Sequence, residues 1–228
     1  MHSRRRETMR ESLVMPERKS GGIRETLKTL VYAIAIALAV RTFLFEPFNI
    51  PSGSMKPTLL VGDYLFVSKF AYGYSRYSFP LGLGPFSGRI FERLPERGDV
   101  VVFWYPRDPD KSYVKRVIGL PGDTVELRNG VVFVNGQPMH EFYLDSTYNQ
   151  AGGNLQAKKV DEHYYFVMGD NRDNSSDSRY WGLVPEKYIY GKVFFRFWMP
   201  SNIGKITRGD YELNEENPND TRAGTDSR

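Results

Sequence analysis

Apolar positions are unevenly distributed along the chain, with one long run near the N-terminus and only short runs after it. The long run covers 29–45, and its uninterrupted part, 30–40, has 11 residues. A membrane-spanning helix needs about 20 residues, and 29–45 comes near the lower limit if Arg41 reaches the lipid head groups. The basic segment before it favours the cytoplasmic side. We therefore predict a cytoplasmic tail over 1–28 and a transmembrane anchor over 29–45.

Two other interpretations of the apolar run need to be weighed. A buried core helix would fit its length but leaves the basic tail without a role. A cleaved signal peptide would fit the small-x-small spacing at 35–37 and 37–39, but those alanines alternate within the run instead of following it. We favour a retained anchor, with the chain after residue 46 on the outer side of the membrane.

From residue 46 onward, short apolar runs alternate with turn signals, which is typical of a mainly β fold. The run at 100–105 is continuously apolar and predicts a buried strand, whereas Asn129-Gly130 between two short runs predicts a tight hairpin. The predicted strands cover 63–70, 100–105, 112–119, 125–128, 131–134, 164–168 and 192–198. Loops or flexible segments are expected over 71–97, 106–110, 140–160 and 201–228.

The composition narrows the kinds of catalytic and binding site that the chain can have. The formal net charge is only +4 and its excess lies in the N-terminal tail, so charge gives no reason to expect nucleic acid as a partner. Because the chain has no cysteine, disulfides, thiolate zinc sites and a cysteine nucleophile are excluded. Of the three histidines, His2 lies in the basic tail, and His140 and His163 have no motif around them. A serine hydrolase built on this chain would therefore use a base other than histidine.

The stretch 46–60 follows the apolar run directly and contains Ser52, Gly53 and Ser54 between two prolines. Such a stretch resists both a regular helix and a central strand. A serine on a constrained turn has an exposed hydroxyl and a limited choice of rotamers, as a nucleophile requires. A plain connector between an anchor and a folded domain is the other interpretation.

A second candidate group is Lys115, which lies beside Arg116 inside an apolar strand. Adjacent strand residues point to opposite faces, so one of these two cations points inward or into a groove. Burial of a lysine disfavours its charged form and lowers its pKa toward that of a general base, whereas arginine stays protonated. The alternative is an edge strand that carries two ordinary surface cations.

The polar run 169–179 follows a short predicted strand. It fits a solvated loop, a loop that binds a divalent cation, or a hydrogen-bonded platform in which Asp173 or Asp177 pairs with Arg172 or Arg179. The run lacks the glycine and glutamate positions of an EF-hand. The residues alone leave these three interpretations open.

Four stretches taken together resemble the conserved boxes of bacterial type I signal peptidases, which are membrane-anchored serine–lysine proteases. In chain order they are P-S-G-S-M-K-P-T-L at 51–59, R-G-D-V-V-V-F at 97–103, Y-V-K-R-V-I-G-L-P-G-D at 113–123 and G-D-N-R-D-N-S-S-D-S-R at 169–179. Their order, spacing and residue types agree over roughly 28–198, which makes the resemblance specific.

The resemblance implies roles for individual residues. Ser54 matches the nucleophile and Lys115 the general base, and the Ser52 hydroxyl joins the Ser54 backbone N–H in the oxyanion hole. The supporting residues that it implies are Ser175, which orients the lysine, and the ion pair of Asp177 and Arg179. The small apolar substrate pockets map onto Phe48, Ile50, Pro51, Met55, Leu59, Leu65, Val102, Tyr113 and Val114.

The resemblance also implies a fold, a reaction and a location. The fold would be an antiparallel β catalytic domain over 46–200, with a small inserted β subdomain at about 124–163, after a single transmembrane helix. The enzyme would remove signal peptides from preproteins exported by the Sec or Tat route, after an Ala-x-Ala site, without a cofactor or metal. It would act at the bilayer of a bacterial cytoplasmic membrane, with the N-terminus in the cytoplasm and the catalytic domain outside.

Other functions make different predictions. A specialised serine–lysine peptidase of a conjugation system or an organelle inner membrane would differ in its substrates. A non-catalytic, membrane-anchored β domain that binds exported chains predicts replacement of the serine or the lysine, and both are present. A metal-binding module built on the carboxylates of 170–179 predicts sensitivity to chelators.

Overall fold

The structure is a computed structural model that describes residues 22–74, 90–197 and 203–213. The chain divides into two compact units, Met1–Leu38 and Ala39–Arg228. Helix α1, Ile23–Phe43, begins earlier than the predicted anchor and keeps its large apolar side chains exposed. Among the helices of the described residues, none is long and apolar enough to cross a membrane.

The strands and the second helix follow in chain order. They are β1 (Phe45–Asn49), β2 (Tyr64–Ser68), β3 (Val100–Tyr105), β4 (Asp108–Gly119), β5 (Thr124–Arg128), β6 (Val131–Val134), β7 (Gln137–Glu141), β8 (Leu155–Lys159), β9 (Tyr164–Met168), α2 (Ser178–Trp181), β10 (Val184–Pro185), β11 (Ile189–Arg196), β12 (Gly204–Lys205) and β13 (Tyr211–Leu213). All of their pairings are antiparallel, so the prediction of a mainly antiparallel β fold is confirmed.

The larger sheet has the strand order β1-β2-β11-β3-β4-β9-β10, with β12 added beside β11. Its centre is the pair β3 and β4, in which Val100 faces Arg116 and Val101 faces Lys115. Residues that face each other in an antiparallel pair share one side of the sheet. Lys115 and Arg116 therefore lie on opposite sides of a central strand.

Both sides of this sheet are covered by buried apolar residues. Val100 and Val102 belong to the cluster that also holds Met55 and Leu59 from the chain after β1. Val101 and Phe103 belong to a second cluster on the other side. Because β3 is buried on both sides, its sequence is continuously apolar, and its predicted bounds of 100–105 are confirmed.

The smaller sheet has the order β13-β7-β6-β5-β8 and contains the predicted hairpin of β5 and β6. Its core joins Val125 and Val132 to Ile118 and Phe166 of the larger sheet. The inserted segment thus consists of β-strands, as predicted. Strand β13, from much later in the chain, pairs with β7 and forms one edge of the smaller sheet. The sequence boundary at 124–163 stays a prediction.

Two segments that we predicted to be flexible contain strands. β8 lies within 140–160, and β12 and β13 lie within 201–228. The prediction was wrong because these short strands keep one side or one edge in solvent and therefore show no apolar run. In addition, β4 begins at Asp108, inside the expected turn 106–110. Most of the expected loop 71–97 lies outside the described residues.

Candidate active site

The turn between β1 and β2 carries Ser54. A backbone hydrogen bond of 2.9 Å from the Ile50 N–H to the Asp63 carbonyl closes the base of this turn. Met55 and Leu59 are buried in the adjoining core, at 1% and 0% exposure, so the residue next to the serine anchors the turn. The serine is held by a short segment whose apolar side chains point into the protein, and its hydroxyl faces a cleft.

Lys115 reaches that hydroxyl from the centre of the larger sheet. Its Nζ atom lies 2.7 Å from Ser54 Oγ and 2.9 Å from the carbonyl oxygen of Val114. The side chain has only 4% residual exposure. The predicted interpretation of a surface cation on an edge strand is therefore excluded, and the two groups have the geometry of a nucleophile beside its base.

Burial lowers the pKa of Lys115 from an ordinary value of 10.5 to about 8. The negative charges of Asp177 and Asp170 act in the opposite direction and raise the pKa, whereas the positive charge of Arg179 lowers it. Desolvation is the largest of these effects, because the strand places the ammonium group in the protein interior. A substantial fraction of this lysine is then neutral at a mildly alkaline pH.

Arg116 has a different environment on the opposite side of the sheet. It donates two hydrogen bonds to the carboxylate of Asp170, at 2.8 and 2.6 Å, and one of 2.7 Å to the carbonyl of Gly98. Its guanidinium group also lies 3.9 Å from the centre of the Tyr143 ring. Lys115 therefore lies at the cleft, whereas Arg116 forms a buried structural ion pair.

The Ser52 hydroxyl lies 3.4 Å from Ser54 Oγ, at the exposed side of the turn. The backbone N–H of Ser54 makes no hydrogen bond to any residue that the structure describes. A hydroxyl and a free N–H near the nucleophile are the kinds of donor that stabilise a developing oxyanion.

The polar loop 169–179 packs against Ser54 and Lys115, called the dyad below, and forms a hydrogen-bonded platform. Asp177 is fully buried, pairs with Arg179 at 2.8 Å and accepts a 3.0 Å hydrogen bond from the Gly169 N–H. The pair of Asp177 and Arg179 is one of those that the platform interpretation allowed, whereas Arg172 has a partner outside the loop. Arg172 forms a two-armed ion pair with Glu141 of β7 in the smaller sheet.

The carboxylates of this loop are each engaged by protein donors. Asp170 binds Arg116, Asp177 binds Arg179, and Asp173 accepts hydrogen bonds from the N–H groups of Gln150 and Ala151. Within 22–74, 90–197 and 203–213, no three His, Cys, Asp or Glu side chains are grouped so that they could hold a metal ion.

Ser175 lies beside the dyad, but its predicted hydrogen bond to Lys115 is absent. Its Oγ atom is buried and has no hydrogen-bond partner among the described residues. A Cβ atom added to Gly169 would lie 2.3 Å from both Ser175 Oγ and the carbonyl oxygen of Ser54, so this part of the site has no free space. The orienting role of Ser175 stays a prediction.

The sequence of the chain matches a known protein family. The sequence model described as "Signal peptidase, peptidase S26" matches residues 23–198, which is most of the chain. The chain belongs to this family. As a member of the signal peptidase family it is a hydrolase, and the resemblance of its four boxes is confirmed.

Named relatives of this signal peptidase family agree over most of their length. The Signal peptidase I of Pseudomonas fluorescens is 40% identical over 75% of this chain and 71% of its own. That of Rickettsia massiliae (strain Mtu5) is 37% identical over 78% of this chain and 83% of its own. The crystal structure of a signal peptidase I from Enterococcus faecalis V583 is 36% identical, covers 44% of this chain and 97% of its own, and has a TM-score of 0.40.

A cleft of about 340 Å³ opens beside the dyad of this signal peptidase family member. Six of the nine predicted substrate-binding residues line it: Phe48, Ile50, Pro51, Met55, Tyr113 and Val114. The other three, Leu59, Leu65 and Val102, are fully buried in the core cluster and do not line the cleft, so their part in substrate binding stays a prediction.

The cleft also contains residues that we did not predict. Ser112 from β4 and Asn174 and Ser176 from the polar loop line its wall. Their positions within or next to the four boxes were the only available signal, because polar residues of this kind are equally common in solvated loops. Asn171, whose contacts are described below, was missed for the same reason.

Proposed function

We propose that this chain is a membrane-anchored serine endopeptidase that removes N-terminal signal peptides from exported preproteins, with Ser54 as nucleophile and Lys115 as general base. The observation that carries the proposal is the 2.7 Å contact between the buried Lys115 Nζ and Ser54 Oγ. Relatives that cover most of the chain are named Signal peptidase I, which supports signal peptides as the substrate class.

The chemistry follows from the positions of these groups. Neutral Lys115 accepts the proton of the Ser54 hydroxyl while Oγ attacks the scissile carbonyl. The negative charge that develops on the carbonyl oxygen is stabilised by the Ser52 hydroxyl and the Ser54 N–H. Protonated Lys115 gives its proton to the leaving amine, and an ester to Ser54 remains. A water molecule, deprotonated by the same lysine, then hydrolyses the ester and restores the serine.

The lining of the cleft supports a preference for small apolar side chains near the cut. Ile50, Met55 and Val114 contribute apolar walls, and the buried core behind them limits the depth of the cleft. A methyl group fits such a shallow apolar wall, whereas a charged side chain would lose its hydration there. We therefore propose cleavage after Ala-x-Ala, with alanine at the first and third positions before the cut.

Several surface features support attachment to a bilayer. The large apolar side chains of α1 are exposed, and a basic tail precedes them in the sequence. In the second unit, Phe45 contacts Phe194 and Phe66 stacks on Phe197 at the end of the larger sheet, where Tyr64 is 41% exposed. Aromatic side chains of this kind favour a membrane interface. We propose that the chain is held at a bacterial cytoplasmic membrane, with its catalytic domain outside the cytoplasm.

The proposed cleavage specificity is tested with the full chain in detergent and a preprotein that carries one Ala-x-Ala site. Mass spectrometry of the mature product should place the cut after the second alanine. Replacement of that alanine with phenylalanine in the substrate should abolish the cut, whereas the same change at the middle position should leave it. Equal cleavage of both altered preproteins would contradict the proposed pocket, and rejection of ordinary preproteins would indicate a specialised maturation peptidase.

The rate of cleavage should depend on pH in a direction set by Lys115. Only its neutral form accepts a proton, and burial lowers its pKa to about 8. We expect kcat/KM to rise about tenfold per pH unit below this value and to level off above it. The measurement is kcat/KM for a peptide substrate without titratable groups. A profile that is flat across this region, or that levels off only near the ordinary lysine pKa of 10.5, would contradict the buried base.

A further inference from the structure

Asn171 lies in the polar loop beside the nucleophile and has no role in the chemistry derived above. It is 6% exposed, and its backbone N–H and carbonyl, its Nδ2 and its Oδ1 each take part in a hydrogen bond. Its side-chain Nδ2 donates to the carbonyl of Gly53 at 3.0 Å, and its backbone N–H donates to the carbonyl of Ser54 at 3.0 Å. Its Oδ1 accepts a 3.0 Å hydrogen bond from the Asn174 N–H. Because these partners are backbone groups with fixed roles, the orientation of the amide is determined.

The contact with Gly53 determines the direction of the Ser54 N–H. The carbonyl of Gly53 and the N–H of Ser54 belong to the same peptide unit, which is planar and trans, so the two groups point in opposite directions. A donor that holds the carbonyl on the inner side therefore holds the N–H on the outer side. In the part of the chain that the structure describes, that N–H has no partner and is available to a bound substrate.

Without the Asn171 donor this peptide unit is held less firmly. Glycine has no Cβ atom to restrict its backbone, so Gly53 permits conformations that other residues avoid. One intraturn hydrogen bond, from the Lys56 N–H to the Gly53 carbonyl, is longer at 3.2 Å. The neighbouring Asp170 accepts a 2.5 Å hydrogen bond from Thr58. The dipeptide Asp170-Asn171 therefore contacts the turn that carries Ser54 on both sides of the serine, at Gly53 and at Thr58.

We propose that Asn171 is a positioning residue for the oxyanion hole: through the Gly53 carbonyl it aims the Ser54 N–H at the carbonyl oxygen of the scissile bond. This inference rests on the proposed function of Ser54 and Lys115. Loss of one oxyanion-hole donor typically lowers kcat by about 100-fold to 1000-fold. Loss of its orientation should act on the same step, with little effect on substrate binding in the ground state.

The decisive variant is Asn171→Asp, with Asn171→Ala beside it. Aspartate keeps the size of the side chain and the acceptor for the Asn174 N–H, but it loses the donor and places a carboxylate oxygen against the Gly53 carbonyl. A purely structural role that depends on the acceptor would therefore survive in Asn171→Asp. The alanine variant carries no charge and shows whether an altered pKa of Lys115 contributes.

A matched control exists in the smaller sheet. The side chain of Asn135 also uses its oxygen as an acceptor, from the Thr124 N–H at 2.8 Å, and its nitrogen as a donor, to Asp123 at 2.9 Å. Asn135→Asp therefore makes the same chemical change away from the cleft. It should alter the thermal stability and leave kcat unchanged.

The test measures kcat and KM at a pH where the rate has levelled off, and the affinity for a substrate-like peptide aldehyde, to which Ser54 adds to form a hemiacetal. For both Asn171 variants we expect kcat to fall about 100-fold with KM within about twofold, and the aldehyde affinity to fall in parallel. A kcat within about threefold of wild type, or an equal loss in Asn135→Asp, would overturn the inference. If the wild type and Ser54→Ala cut equally, the proposed function itself fails.

Discussion

Replacement of Lys115 with arginine should abolish cleavage, with a loss in kcat of about 10⁴-fold or more, because a catalytic pair acts as a unit. Arginine keeps the positive charge and reaches at least as far as lysine, but its guanidinium group stays protonated at every pH at which proteins are folded. No neutral base then remains within 2.7 Å of the Ser54 hydroxyl. The measurement is the rate of product formation from a preprotein at pH 9, above the Lys115 pKa of about 8, where most of the wild-type lysine is neutral.

Two controls make this result specific to the base. Lys115→Met, which is nearly isosteric and neutral, should be equally inactive, because a missing base and a protonated one have the same consequence. Lys111→Arg changes an exposed lysine on the same strand and should keep wild-type activity, since Lys111 only pairs with Asp108 at the surface. Activity of Lys115→Arg within tenfold of wild type would remove Lys115 from the mechanism.

The second large effect concerns stability, and it should have opposite signs at the two adjacent cations. Arg116→Met leaves the buried carboxylate of Asp170 without its partner, and breaking such a pair costs about 3–5 kcal/mol. Lys115→Met removes a buried ammonium group that is charged below its pKa of about 8 and, among the described residues, has hydrogen bonds only to Ser54 Oγ and the Val114 carbonyl. The difference from the ordinary pKa of 10.5 corresponds to about 3 kcal/mol, by which Lys115→Met should stabilise the fold near neutral pH.

The pH dependence provides an internal check on the lysine. The folded chain has the lower lysine pKa, so the unfolded chain binds more protons between about 8 and 10.5, and stability rises with pH in that window. The penalty for burying the charge is complete below about 8 and absent above 10.5, so the stabilisation by Lys115→Met should shrink across the window. Equilibrium unfolding in urea measures both variants. A destabilised Lys115→Met near neutral pH would contradict the account of this site.

The parts of the fold that the sequence predicts well are those buried on both sides. β3 has continuous apolar residues because the larger sheet is covered on both faces, and the hairpin of β5 and β6 contains Asn129-Gly130, whose Asn and Gly both have positive φ angles. In contrast, β7 and β13 pair with each other, β8 pairs with β5 at the other edge of the sheet, and all three strands carry many polar residues. Strand β13 becomes recognisable only when β7, about 70 positions earlier, is known to be its partner.

The candidate site likewise contains features that the sequence predicts and features that it does not. A serine between prolines and a lysine inside an apolar strand are unusual on physical grounds and made Ser54 and Lys115 candidates, but their roles followed only from the resemblance of the four boxes. The alternation of a strand predicts that Lys115 and Arg116 lie on opposite faces, but the partner of Arg116, Asp170, comes from a distant loop. Leu59, Leu65 and Val102 could not be separated from the cleft-lining residues, because apolar residues of the core and of a pocket look alike in a sequence.

The most direct test of the account compares wild type, Ser54→Ala and Lys115→Met as full chains in detergent, with a preprotein that carries an Ala-x-Ala site. Far-ultraviolet circular dichroism establishes that all three are folded, and mass spectrometry identifies the products. We expect a single cut after the final alanine in the wild type and no cut in either variant. The same cut at the same rate in all three proteins would contradict the assignment of Ser54 and Lys115 as the catalytic pair.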